Sequence, residues 1–194
     1  MRTMGIITAD FRDGLGGVFV QSPDDQIDGS SATSEGILVI LGNEFTAIEV
    51  GDRVMVDGQV AELDQRTALV DAEIAAVCGH DLAVSPQPIE AVPPDPPGWE
   101  ALEGMLVLPG PTTVVDNSRL ASAGELTVIF GERPTYPTEE QLPGPAARAV
   151  LEAHWGQLFL IDDARIGLPP VGLWPTADQP VRSGDRIASF AGIV

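Results

Sequence analysis

Lysine is missing altogether. All ten basic residues of this 194-residue chain are arginine, against 29 acidic ones, for a formal net charge of −19. A field this negative repels a phosphate backbone, and non-specific nucleic-acid binding depends on Lys and Arg neutralising phosphate, so a tight sequence-independent grip is not expected. The simplest use of such acidity is solubility, including in salty or extracellular surroundings. A single cysteine, Cys78, excludes an intramolecular disulfide and a Cys-based metal cluster. At the end of an apolar strand it is expected to be a small buried residue. The two histidines, His80 and His154, lie far apart without ligand-spaced partners, so neither suggests a metal or catalytic site. No apolar run approaches the ~18 residues of a membrane-spanning helix, and no signal peptide is visible. Met1-Arg2-Thr3 runs straight into a strand and reads as a trimmed start, which leaves secretion of a parent protein open. Aromatic residues make up only 5%, thin for a platform that stacks bases.

What the chain does have is 44% hydrophobic residues, 21 Gly and 17 Pro without period, a mixture suited to short strands and many turns. Its organising stretch is Val50–Val77. That stretch reads as a turn, a long strand, a tight bend and a second strand. Its first half returns at Ser183–Val194: Gly51-Asp52-Arg53 matches Gly184-Asp185-Arg186, each followed by a β-branched residue and a short run to another Gly. The first copy continues into a further strand and the second stops, so two related β modules are expected, the second cut off before its last strand.

In order, Gly5–Phe11 and Gly17–Gln21 predict a hairpin around the Gly-rich turn Asp13–Gly17. Val18 and Val20 share one face, and Phe19 and Gln21 the other. Ser22–Glu35 is a polar loop, Gly36–Leu41 a central strand, and Asn43–Val50 one short helical turn. Arg53–Leu63 is a strand long enough for two sheets, with Gly58 where it can bend or bulge and Val54, Val56 and Val60 on one parity. Thr67–Val77 closes the set, with Val70, Ala72 and Ile74 facing in and Asp71 and Glu73 out. Five strands with a connector between the third and fourth fit an OB-fold, a small Greek-key barrel; an SH3-like barrel has a similar pattern.

The expected organisation is an OB-fold module over residues 1–80, a Pro-rich polyproline II-like linker over 81–101 pinned by Trp99, and a second OB-like module over 102–194. The fold class is thus mainly β, with tandem OB-like Greek-key barrels. The second module has strands at Gly104–Leu108, Thr112–Asp116, Glu125–Phe130 and Gln157–Asp162, a long loop over Asp163–Pro180, and a closing strand from Arg186. Its one helix is Pro145–Trp155, with Pro first, Gly156 just past the end, and Ala147, Val150, Leu151 and His154 on one face. A barrel without its fifth strand has an open edge.

The segments ITADFRDGLGGVFVQSPDDQIDGSSATSEGILV, VGDRVMVDGQVAEL, ALEGMLV, TVVDN, GELTV, PGPAARAV, LFLIDD and SGDRIASFAGIV come in an order that resembles one family. It is the non-catalytic region of bacterial extracellular nucleases, in which a YhcR-type OB domain precedes an endonuclease/exonuclease/phosphatase-type catalytic domain. The resemblance implies a secreted, non-enzymatic fragment that presents single-stranded or duplex nucleic acid to a downstream catalytic domain. Any divalent metal would belong to that domain, which is absent from this sequence, and no membrane partner is implied. The alternative is a structural or protein-interaction module that never touches nucleic acid.

An OB-fold binds nucleic acid with strands two and three and the loops beside them, through stacking aromatics and Arg. Phe11, Arg12, Phe19, Arg53 and Arg66 are the candidates in the first module. The two Phe residues fit the core equally well, and Arg12 and Arg53 can pair with Asp13 and Asp52. Asp24, Asp25 and Asp28 form a small acidic loop that is a weak calcium candidate without the EF-hand pattern. No nucleophile elbow or P-loop is present. Trp99, Trp155 and Trp174 leave room for a carbohydrate-binding reading but are scattered and expected to be packed.

Overall fold

A strand that begins at Arg2 and runs to Phe11 (β1) turns sharply because the Phe11 carbonyl accepts the backbone N–H groups of Gly14, Leu15 and Gly16. β2 (Gly17–Gln21) returns antiparallel to it, and β3 (Gly36–Leu41) pairs antiparallel with β2. β4 (Arg53–Leu63) joins β5 (Arg66–Gly79) through Asp64 and Gln65, both at positive φ. Two such residues make a turn whose twist matches that of the strands it joins. β5 pairs antiparallel with β4 and parallel with β3, and β4 pairs with β1. The result is a closed five-stranded barrel in the order β1-β2-β3-β5-β4. The computed structural model that shows this describes residues 1–41, 47–165 and 180–194. Of the helical turn expected at Asn43–Val50, residues 43–46 lie outside the described residues and 47–50 are not helical; Trp174 also lies outside.

Beyond the barrel come β6 (Gln87–Ile89), the single-turn helix α1 (Pro96–Glu100), β7 (Leu106–Pro109) and β8 (Thr112–Asp116). Then follow α2 (Leu120–Ala123), β9 (Leu126–Phe130), α3 (Pro137–Glu140), α4 (Pro145–Trp155), β10 (Leu158–Ile161), β11 (Arg186–Ile187) and β12 (Gly192–Ile193). The chain is mainly β, and the four helices among the described residues are short.

Two compact units result, and their boundaries differ from the expected ones. The first comprises Met1–Gln87, Asp95–Leu108 and Ala191–Val194; the second comprises Pro88–Pro94 and Pro109–Phe190. The Pro-rich stretch 81–101 is therefore divided between the units instead of forming a spacer. The final strand expected from Arg186 is likewise two short ones. β11 pairs with β8, while β12 pairs with β7 in a small sheet of order β12-β7-β6.

The first unit has its main core inside the barrel: Ile7, Val18, Val20, Val39, Ile48, Val54, Val56, Leu69 and Ala72. Between the pairs Asp57–Glu73 and Gln59–Val70 of the β4–β5 register, Asp71 and Ala72 oppose Gly58, so a bulge's extra residue lies on β5, where Asp71 has φ 48°. That bulge shifts the parity of β5, so Leu69, not Val70, joins Ala72 in the core, while on β4 Val54 and Val56 are fully buried but Val60 is 55% exposed. Cys78, expected inside, is exposed near the end of β5.

The second unit contains an open four-stranded antiparallel sheet of order β10-β9-β8-β11, not a closed barrel among the described residues. Its core is Val114, Leu126 and Val128, with Phe159, Ile161, Val181 and Ile187 packed against them. Phe130 stacks on Phe159 with ring centroids 4.9 Å apart. Helix α4 has the expected bounds, and Ala147 is its buried residue. Trp155, expected to be packed, is exposed.

Candidate interaction face

Sequence alternation alone gives β2 one buried face, yet all five of its residues are buried. The reason is a second apolar cluster outside the barrel interior. Phe19, Leu38 and Ala68 form its buried centre, packed by Ala9, Phe11, Leu15, Ile40 and Ile193. Phe11 meets Phe19 edge to face, with ring centroids 5.7 Å apart and planes at 87°, an arrangement favoured by the ring quadrupoles. Phe19 is only 5% exposed, so its ring is not available to a base. The two candidate aromatics therefore come together, but as packing partners.

Residues of the first unit from beyond the barrel strands fasten this side. The amide oxygen of buried Gln21 accepts the Leu106 N–H at 2.8 Å. A carboxylate oxygen of Glu103 accepts the Thr67 N–H at 2.6 Å, and the Glu103 carbonyl accepts the Ser34 hydroxyl. Gly36 and Gly104 meet backbone to backbone: a Cβ on Gly36 would lie 2.2 Å from the Gly104 carbonyl oxygen. The Val194 carbonyl accepts the Gly104 N–H at 2.7 Å, and the Val194 N–H donates to Met105 at 3.3 Å. Ile193 is thereby placed against the Phe19 cluster. Desolvation raises the Glu103 carboxyl above its ordinary range, opposed by the Thr67 N–H.

The candidate cations stand apart from one another in role. Arg12 forms an ion pair with Asp10 at 2.5 Å, two residues before it, and Asp13, the expected partner, adds an electrostatic pull. The Arg12 hydrogen bonds hold Asp10 below the usual carboxylate range. Arg53 lies opposite Ile6 and Gly79, and its buried Nε has no hydrogen-bond partner among the described residues. Arg66 is half-buried and exerts an electrostatic pull on Glu103.

Asp52, expected beside Arg53, turns instead to His80. Its Oδ1 lies 2.6 Å from His80 Nδ1, and its Oδ2 accepts the Glu49 N–H at 2.9 Å. The Asp52 side chain is 7% exposed and that of His80 72%, so an exposed ring covers a buried carboxylate. The Glu49 N–H and then His80 lower the Asp52 pKa. No sequence spacing marks this pair, though the repeated Gly-Asp-Arg turn does single out Asp52.

Two of the three acidic side chains of the Asp24–Asp28 loop accept hydrogen bonds from the protein itself. Asp24 accepts the Ser85 hydroxyl and N–H, which hold it below the ordinary range. Asp28 accepts Ser30 N–H and Thr33 hydroxyl, and Asp25 is exposed. Among the described residues no group of three or more His, Cys, Asp or Glu is placed to share a metal ion. None of the described helices is long and apolar enough to cross a membrane.

No protein-family model, curated protein or solved structure matches the chain. Function rests on the geometry alone.

Proposed function

We propose that the chain is a non-catalytic interaction module that engages protein surfaces through β structure. On this reading the barrel is of the OB type, supported by the strand order β1-β2-β3-β5-β4 with β3 and β5 parallel. The observation that carries the reading is the burial of Phe19 on the outer side of β2, beneath residues of its own unit that include Ile193. That is the strand surface on which an OB-fold holds nucleic acid. Charge points the same way: the net −19 opposes phosphate, and the nearest loop cation, Arg12, already carries a carboxylate.

The second reading is the substrate-presenting region of a secreted nuclease. One observation favours it, the Arg53 guanidinium with an unpartnered Nε. Fluorescence anisotropy of a labelled single-stranded oligonucleotide separates the two. The expected result is no saturable binding at high micromolar protein in low salt. Salt-sensitive binding that weakens on Arg53→Ala or Arg66→Ala would overturn the interaction-module reading.

A further inference from the structure

Two carboxylates of the first unit converge on one threonine at the start of β5. Thr67 gives its N–H to a carboxylate oxygen of Glu103 at 2.6 Å and its hydroxyl to a carboxylate oxygen of Glu62 at 2.8 Å. Glu62 lies directly across the β4–β5 hairpin from Thr67, whereas Glu103 comes from the segment between α1 and β7. Held by the same residue, the two carboxylates are near enough to repel each other. Glu103 is half-buried and Glu62 exposed. Loss of water pushes the Glu103 carboxyl up, the Thr67 N–H opposes this, Glu100 at the end of α1 and Glu62 push it up further, and Arg66 on β5 pulls it down. The net shift is upward.

Glu103 is also where the cover over the Phe19 cluster is attached. Its carbonyl accepts the Ser34 hydroxyl, whose oxygen in turn accepts the Gly36 N–H at 2.9 Å, at the start of β3. Gly104, at φ 70°, meets Gly36 backbone to backbone and donates to the Val194 carbonyl. Two residues on, Leu106 donates to Gln21 and lies opposite Ile193 in the β7–β12 pair. A change at the Glu103 carboxyl is thus three residues from the position that seats Ile193 against the Phe19 cluster.

We propose that Glu103 is a proton-sensitive clamp that sets how tightly residues 103–106 and 191–194 cover the Phe19 face. With the cover closed, its carboxyl is half-buried beside Glu62; with the cover open, it stands in water. The closed cover therefore holds a proton on Glu103 more tightly than the open one does. A carboxyl raised in this way is ionised at a cost. The cover is weakest above the raised value and gains stability as pH falls through it toward the ordinary one. The sign is opposite to that of Asp52, whose depressed carboxyl loses stability on acidification. In neutral surroundings the apolar β2 face opens more readily, and in mildly acidic ones it is locked. The clamp is a property of the first unit and does not depend on what the module binds.

The test is amide exchange in the full chain between pH 7 and pH 5, corrected for the intrinsic exchange rate at each pH. Protection of the Gly104, Leu106 and Val194 N–H groups should rise by about twofold or more as pH falls; one proton allows at most about tenfold per pH unit. The amide of Val54, fully buried in the barrel, reports global opening and sets the baseline. Glu103→Gln keeps an oxygen for the Thr67 N–H without a charge. It should show the acid level of protection already at pH 7 and lose the pH dependence. Glu62→Gln, at an exposed position, removes only the repulsion and should make the pH dependence shallower; it serves should Glu103→Gln fail to fold. Wild-type protection that does not rise on acidification, or a rise of the same size in either variant, overturns the clamp.

Discussion

Around the same Gly-Asp turn, the first unit builds a barrel whose interior is closed and the second builds a sheet with one face partly open. Asp52 is buried and covered by His80, whereas Asp185 is exposed. β4 runs on for eleven residues and pairs with a fourteen-residue β5, whereas β11 has two residues. The difference teaches that the turn sets the strand direction but does not close the barrel. Closure needs the long strand that follows it, and that strand supplies Leu69 and Ala72 to the core.

Core truncation should expose this contrast most strongly. Leu69→Ala removes a fully buried side chain from inside the closed barrel, where neighbours on every side limit collapse; a loss of about 3–5 kcal/mol is expected. Leu126→Ala acts beside an open groove, where relaxation and water entry soften the cavity, so the loss should stay near about 2 kcal/mol. Urea unfolding followed by probes in each unit measures both. Equal losses would mean that the second core is as closed as the first.

Acid should separate the two turns next. The Asp52 carboxyl is held below its ordinary value by the Glu49 N–H and by His80. A depressed carboxylate contributes stability that is fully present above the unfolded pKa of about 3.9 and is lost as pH falls through the folded value. Asp52→Asn should therefore lower the urea midpoint at neutral pH and flatten its decline on acidification. Asp185→Asn, on an exposed side chain, should lower the neutral-pH midpoint less. The midpoint measured from pH 6 down to pH 3 for each variant decides it. An unchanged acid slope in Asp52→Asn would show that the other carboxylates carry the whole effect.

The smallest effect concerns Thr112, whose fully buried hydroxyl has no hydrogen-bond partner among the described residues. Thr112→Val keeps the shape and removes an unsatisfied polar group, so a gain of about 1 kcal/mol is expected in thermal unfolding. A loss would reveal a hydrogen bond made by that hydroxyl in solution.

Much of the fold was legible because it is local. The turn at Asp13–Gly17, the strand Thr112–Asp116, the helix Pro145–Trp155 and the break at Gly58 all follow from residues within a few positions of one another. The errors come where distant segments decide. The outer face of β2 is buried because residues 102–108 and 191–194 belong to the same unit, and nothing in GVFVQ announces a second apolar layer. Leu69 rather than Val70 faces the core because one extra residue of β5 near Asp71 reverses the side chains on either side of it. Arg12 pairs with Asp10, two residues before it, a partner that adjacency to Asp13 did not point to. Cys78 is exposed at a point where the β4–β5 register skips it, between Val77 and Gly79. Of the candidate site, the strands and the Phe pair were readable, but their packed state was not. The Asp52–His80 pair spans the whole β4–β5 hairpin and has no spacing signature.

Because Ala191–Val194 belongs to the first unit, that unit is finished last during synthesis. The barrel strands are complete once Gly79 has emerged, but Ile193 follows more than a hundred residues later. At ~5–20 residues per second, the Phe19 face waits on the order of ten seconds without its final cover. A nascent chain at that stage presents an apolar surface that lacks Ile193 to chaperones and to neighbouring chains, and loss of Ala191–Val194 would leave the folded barrel in that state for good.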